Sequence, residues 1–271
     1  MSAVVISASF DNARAPDYRF AEEAAKRGEL TVLLWSDAAV RAITGADPSF
    51  PQAERQYLVQ AMRYVSRVVV VDEAEPDALP PVDGPPPSTW MIKSSDITDA
   101  KRLFCDRAGI IAEVIATEVL NAVPAADDRV LSATGRRKVM VTGCYDWFHS
   151  GHVAFFEEVA ALGDLYVVVG HDANILLLKG AGHPMFPDQE RRYIAGSIRY
   201  VHQALISSGH GWMDAEPEID RIRPDMYAVN EDGDKPEKRT FCEQHGLEYV
   251  VLKRLPKQGL PRRESTHLRG F

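Results

Sequence analysis

The chain has 271 residues, 45% apolar and 26% charged, a globular composition with length for one large domain or two of common size. Its formal charge of -8 and its lack of a basic block argue against duplex nucleic acid as a partner, so any phosphate site must be a local cluster of cations or backbone amides. Three cysteines without metal-ligand spacing fit a reducing cytoplasm better than a disulfide framework, and no stretch is long enough to span a bilayer.

In chain order, residues 1–10 form a short apolar run without a basic n-region, which predicts a strand and not a signal peptide. Residues 73–88 are a loop rich in Pro and Asp. Residues 121–137 are dominated by Ala, Pro, Asp and Ser, which predicts a linker (123–136) between domains 1–122 and 137–271. The β-branched run at 139–141 predicts a buried parallel strand, and 142–150 a loop. Residues 151–161 have helical periodicity, with Val153, Phe156, Val159 and Ala160 on one face. A strand is predicted at 165–169, a helix at 188–201 with Ile194, Ile198 and Val201 inward, and strands at 226–229 and 249–252. Strands alternating with helices predict an α/β fold with parallel sheets, whose ligands bind at the carboxyl ends of the strands.

The chain is also written twice. At an offset of about 135 positions (146 − 11), Ser9-Phe10-Asp11 meets Cys144-Tyr145-Asp146. Phe20-Ala21-Glu22-Glu23 meets Phe155-Phe156-Glu157-Glu158 at the same offset. After single-residue slips, Glu54-Arg55 meets Glu190-Arg191, Arg63-Tyr64-Val65 meets Arg199-Tyr200-Val201, and Lys101-Arg102 meets Lys238-Arg239. The counterpart of the loop at 73–88, residues 207–223, has more apolar and helical character, so the first copy has lost an element there.

The sharpest motif is His149-Ser150-Gly151-His152, at the predicted start of a helix. Free N–H groups and the positive helix end favour anions there. Imidazoles can add hydrogen bonds to phosphate oxygens as charge develops, and Gly151 lets a ligand approach the backbone. By itself the motif is also compatible with two ordinary loop histidines. Zinc is the weaker reading, since no third or fourth ligand is nearby.

With its surroundings the motif resembles the cytidylyltransferase-like nucleotidylyltransferase family. The resemblance rests on residues 143–152 (Gly143-Cys144-Tyr145-Asp146-Trp147-Phe148 and the two histidines), on Val167-Val168-Val169-Gly170-His171-Asp172, on Lys179-Gly180, on Glu190-Arg191, on Arg199-Tyr200-Val201 and on Glu264-Ser265-Thr266. The tandem layout is similar to that of phosphoethanolamine cytidylyltransferases, and glycerol-3-phosphate cytidylyltransferases resemble the single unit.

The resemblance implies two tandem Rossmann-like units packed as an internal pseudo-dimer, with a further homodimer left open. It implies His149, His152 and Lys179 as catalytic residues. It implies nucleotide contacts from Gly143, Cys144, Tyr145, Gly151, Arg191, Asn230, Glu231, Asp232, Ser265 and Thr266, the last two compatible with a plain helix cap. Acceptor contacts are expected from Asp146, Trp147 and Phe148, with Trp212 near. Lys257, Arg262 and Arg263 compete for the family's arginine before the Ser-Thr motif. Cys144 is expected to be a small apolar residue and not a nucleophile.

The implied reaction is in-line transfer of CMP from CTP to a phosphorylated small alcohol or phosphonate, releasing pyrophosphate, with Mg²⁺ expected on the nucleotide. Adenylyl transfer from ATP and a non-catalytic nucleotide-binding regulator are the alternatives. The first copy carries Arg14 and Asp17 opposite His149 and His152, and Ala8 opposite Gly143. An aspartate repels phosphate, so the first copy is expected to be inactive.

Overall fold

The computed structural model describes residues 3–81, 86–127, 129–253 and 255–263. The expected contacts at Ser265 and Thr266 therefore lie outside the described residues. The chain divides into two compact units, Met1–Val123 and Pro124–Phe271.

The first unit runs β1 (Ala3–Ala8), α1 (Ala15–Ala25), β2 (Glu29–Trp35), α2 (Asp37–Thr44), α3 (Gln52–Ala61), β3 (Arg67–Val71), β4 (Thr89–Lys93), α4 (Asp99–Ala108), β5 (Ile111–Ile115) and α5 (Thr117–Asn121). The second runs β6 (Lys138–Gly143), α6 (Ser150–Ala160), β7 (Asp164–Val169), α7 (Asp172–Lys179), α8 (Asp188–Gly196), β8 (Val201–Ile206), α9 (Glu216–Ile222) and β9 (Met226–Asn230). A 3-10 turn (Glu231–Gly233), α10 (Pro236–Gln244) and β10 (Glu248–Leu252) complete it.

Each unit holds one five-stranded sheet, ordered β3-β2-β1-β4-β5 in the first and β8-β7-β6-β9-β10 in the second. The two orders are the same when β1 is matched to β6, and the paired strands are parallel in both. The repeat read in the sequence is thus a repeat of fold, and both units are Rossmann-like. Among the described residues, α9 has no counterpart between β3 and β4, in agreement with the expected loss of an element.

The sheets form where β-branched and apolar residues run together. All six residues of β7 are buried, because helices cover both faces of a parallel sheet. Val139, Met140 and Val141 of β6 are fully buried beside it. Burying each such side chain contributes about 1.5–3 kcal/mol, so these runs hold the sheet's centre in place.

A polar clamp recurs in both units. The Arg191 guanidinium is 1% exposed and donates to the carbonyls of Phe186, Cys144 and Gly170 and to Asp172. Arg55 does the same with Phe50, Ser9, Trp35 and Asp37. Asp146 accepts the amides of Met185 and Phe186, as Asp11 accepts those of Ser49 and Phe50. The clamp ties the loop after the first strand to the start of α8 or α3. It holds Tyr145 at φ 53° and Phe10 at φ 49°, a left-handed conformation that a bulky residue keeps only when its surroundings impose it.

Two boundaries differ from the sequence expectation. The helix predicted over 188–201 stops at Gly196, and Val201 opens β8 instead. Ile194, Ile198 and Val201 are all buried as expected, but on a helix, a turn and a strand. Burial alone sustained a period that looked helical. The expected linker is hydrogen-bonded to the second unit: Thr134 donates to Asp164, the Leu131 amide to Gln203, and Tyr166 to the Leu131 carbonyl.

Candidate active site

The loop after β6 leads into α6, and His149 caps that helix. Histidine is not a favoured cap, so the local rule is broken at this position. The ring does the work of the usual hydroxyl: its Nδ1 accepts the Gly151 amide at 3.1 Å. His152, three residues on, returns its Nδ1 to the His149 amide at 3.4 Å. With both Nδ1 atoms accepting, the neutral form of either ring carries its proton on Nε2. The rings stack at 4.0 Å, and His149 is 2% exposed.

Two glycines make this packing possible. A Cβ on Gly151 would stand 2.9 Å from Cε1 of His149 and 3.0 Å from its Nδ1. A Cβ on Gly143 would stand 2.7 Å from the Tyr145 ring. Gly151→Ala should therefore shift the His149 ring, and a displacement of about 1 Å costs up to 10²-fold in rate. Alanine meanwhile favours the helix by roughly 0.5–1 kcal/mol. We expect a variant that is slower by at least an order of magnitude yet melts no earlier than the parent. A variant of parental activity would show that the ring position is unimportant.

A cleft of about 410 Å³ lies at the carboxyl ends of β6 and β9. Of the expected residues, the structure brings Gly143, Cys144, Tyr145, Asp146, His149, Gly151, His152, Lys179, Asn230 and Asp232 to its walls. Lys179, the last residue of α7, is exposed, and no hydrogen bond or ion pair engages its ammonium among the described residues. Burial pushes the Cys144 thiol up from its ordinary value, against the pull of Lys179 and Arg191, which suits a packing residue and not a thiolate. Among the described residues no group of three or more His, Cys, Asp or Glu is placed to hold a metal ion.

Other expected residues lie elsewhere. Trp147 is 4% exposed, packs edge-on against Phe186 and donates to the Met185 sulfur. Phe148 stacks on His152 and packs against Phe156. Both lie outside the cleft wall; Phe148 supports the histidine helix, and Arg191 holds the loop before it through its contact with the Cys144 carbonyl. Asp146 reaches the wall with its carboxylate engaged by two amides. Glu231 is exposed beside the cleft, and Trp212 packs edge-on against Phe241 with half its surface exposed. Lys257 pairs with Glu157, while Arg262 and Arg263 line an adjoining cavity with Ser150, Gly151 and Asn230.

Sequence reasoning missed Phe155 and Lys238, which also line the wall. The repeat itself carried the signal, since Phe20 and Lys101, their counterparts, line a cleft of about 380 Å³ in the first unit. There the chemistry is reversed. Asp17 stands at the place of His152, accepts the Arg14 amide at 2.9 Å and pairs with Lys93 at 2.8 Å. This carboxylate neutralises the helix end that would attract an anion.

Comparisons with known proteins point the same way. A family model described as cytidylyltransferase-like matches residues 140–254. An FAD synthase of Ferroglobus placidus is 34% identical over 125 residues, 46% of this chain and 71% of that protein. An FAD synthase of Aciduliprofundum boonei is also 34% identical over 125 residues, covering 80% of its length. The bifunctional protein HldE of Alkalilimnicola ehrlichii is 42% identical over 94 residues, but this chain spans 18% of its length. A solved lipopolysaccharide core biosynthesis protein from Thermoplasma volcanium is 26% identical, covering 44% of this chain and 98% of its own, with a TM-score of 0.38.

Proposed function

Because this chain belongs to the cytidylyltransferase-like nucleotidyltransferase family, we propose that its second unit transfers a nucleoside monophosphate from an NTP to a phosphorylated small molecule, with CTP as the preferred donor. The observation that carries this reading is the pair of stacked imidazoles at the α6 N-terminus, which line one cleft with Lys179.

Each part has a task. The acceptor phosphate oxygen attacks the α-phosphorus, the bond to the bridging oxygen breaks, and pyrophosphate leaves with that oxygen. The imidazole N–H groups and the α6 amides hold the charge that develops on the phosphoryl oxygens. Lys179 is a mobile cation that bridges the α-phosphate and the acceptor phosphate. Mg²⁺ is proposed to accompany the triphosphate, where it would neutralise phosphate charge, and Asp232 is a cleft-wall carboxylate that would help to hold it. Asn230 and Asp232 at the end of β9 are proposed to face the nucleoside.

A second reading keeps the mechanism and changes the donor to ATP. It is favoured by the FAD synthase matches, since FAD contains an adenylyl group. Incubating the protein with each NTP and a panel of sugar, alcohol and flavin phosphates, then measuring pyrophosphate, separates the two. Absence of pyrophosphate with every pair would overturn both and leave the regulatory reading.

The first unit is proposed to be inactive, and the expected stoichiometry is one nucleotide per chain by titration calorimetry. Two equivalent sites would refute that. An internal pseudo-dimer is also proposed, from the retained Arg63-Tyr64-Val65. No helix among the described residues is long and apolar enough to cross a membrane. A cytoplasmic location is proposed from the three free cysteines.

A further inference from the structure

Lys238 is the feature of the cleft that the family resemblance did not supply. It lies in the first turn of α10, half-buried, and lines the cleft with Asn230, Asp232 and Gly233. Its ammonium has no hydrogen bond and no ion pair among the described residues. Burial, and then the neighbouring Lys235, lowers its pKa from the ordinary lysine value, against the pull of Cys242, Asp232 and Asp234. An ammonium held partly out of water without a hydrogen bond is costly, and an arriving anion relieves that cost.

The first unit provides the comparison. Lys101 occupies the matching position, 8% exposed, and its ammonium donates to the Asp96 carbonyl at 2.5 Å and lies over the Trp90 ring. There the cation is satisfied within the protein. In the second unit the same lysine, on the same turn, faces a cleft that also holds two imidazoles and Lys179.

The sheet order places these cations on two sides. β7 flanks β6 on one side and leads into Lys179, while β9 flanks it on the other and leads towards Lys238. The adjoining cavity lined by Asn230, Arg262 and Arg263 shares Gly151, Phe155 and Asn230 with the main cleft. A nucleotide laid between Asn230 and the histidines would pass Lys238, leaving the Lys179 side to the acceptor.

We propose that Lys238 binds a phosphate of the nucleotide donor and not the acceptor, while Lys179 serves the junction between donor and acceptor. This assignment rests on the nucleotidylyl-transfer reading above. The test is titration calorimetry on the full chain with CTP, ATP and pyrophosphate as probes. Lys238→Met should weaken nucleotide and pyrophosphate binding by about tenfold or more, as expected for loss of a charge-assisted hydrogen bond. Lys238→Arg should recover most of that affinity. Lys101→Met should leave nucleotide affinity unchanged, and thermal melts should show both Lys→Met proteins folded. Nucleotide binding by Lys238→Met within about twofold of the parent would overturn the assignment alone. Failure of the parent protein to bind any of the three probes would overturn the functional reading and this assignment with it.

Discussion

Replacing either histidine of the α6 turn should abolish most of the transfer activity while the protein stays folded. His149→Ala and His152→Ala are each expected to lower kcat by about 10²–10³, the usual cost of losing one preorganised donor to a developing oxyanion. His149 also caps α6 through Nδ1, so its removal mixes catalysis with a capping loss of about 0.5–2 kcal/mol. His149→Asn separates the two effects. Asparagine is among the best caps, but it cannot place an N–H where Nε2 stands. The expected result is a melting temperature close to the parent's with activity still reduced by about 10² or more. An asparagine variant with activity within roughly threefold of the parent would mean that His149 serves the helix and not the reaction.

The largest stability effect is expected at Arg191. Its side chain is fully buried and serves three carbonyls and Asp172, so truncation leaves those acceptors without their donor. Arg191→Ala should destabilise the second unit by about 3–5 kcal/mol, the range for breaking a buried charged network. Hydrogen exchange of the β6, β7 and β8 amides would register the loss. Lysine should not rescue it, because one ammonium cannot serve four acceptors around a planar fork. Arg55→Ala should produce a comparable loss in the first unit, although no histidine pair stands there. If Arg191→Ala kept its exchange protection and lost only nucleotide binding, Arg191 would belong to the phosphate site directly.

The two units act as an internal control on reading motifs. Residues present in both copies, such as Arg55 with Arg191 and Asp11 with Asp146, make the same contacts in both. Their conservation across the repeat follows the fold. Residues that differ, such as Arg14 against His149 and Asp17 against His152, stand at equivalent cap positions and change only the charge offered to a ligand. Asp146, which lines the cleft wall, and Arg191 were expected to meet substrates from their place in a motif. Their hydrogen bonds show that they shape the turn that presents the histidines.

The positions of other residues have physical reasons too. Trp147 and Phe148 look like pocket residues because aromatics beside a catalytic turn are often exposed. Here a left-handed Tyr145 redirects the chain, so that Trp147 packs under Phe186 and Phe148 under His152. The strand β8 was hidden because buried positions on a helix, a turn and a strand happened to follow a helical spacing.

Linear order by itself determined that the protein is a duplicated α/β unit, that its sheets are parallel, and that the histidine turn opens a helix. These are local or periodic properties: strand runs, helix starts and a repeat offset depend on residues near one another in the chain or matched one to one. Only the tertiary structure decided that Arg191 is sealed behind the cleft while Lys238, from a helix beyond another strand, stands open within it. Burial and unmet charge arise from what distant segments bring to the same place, and no spacing along the chain encodes that directly.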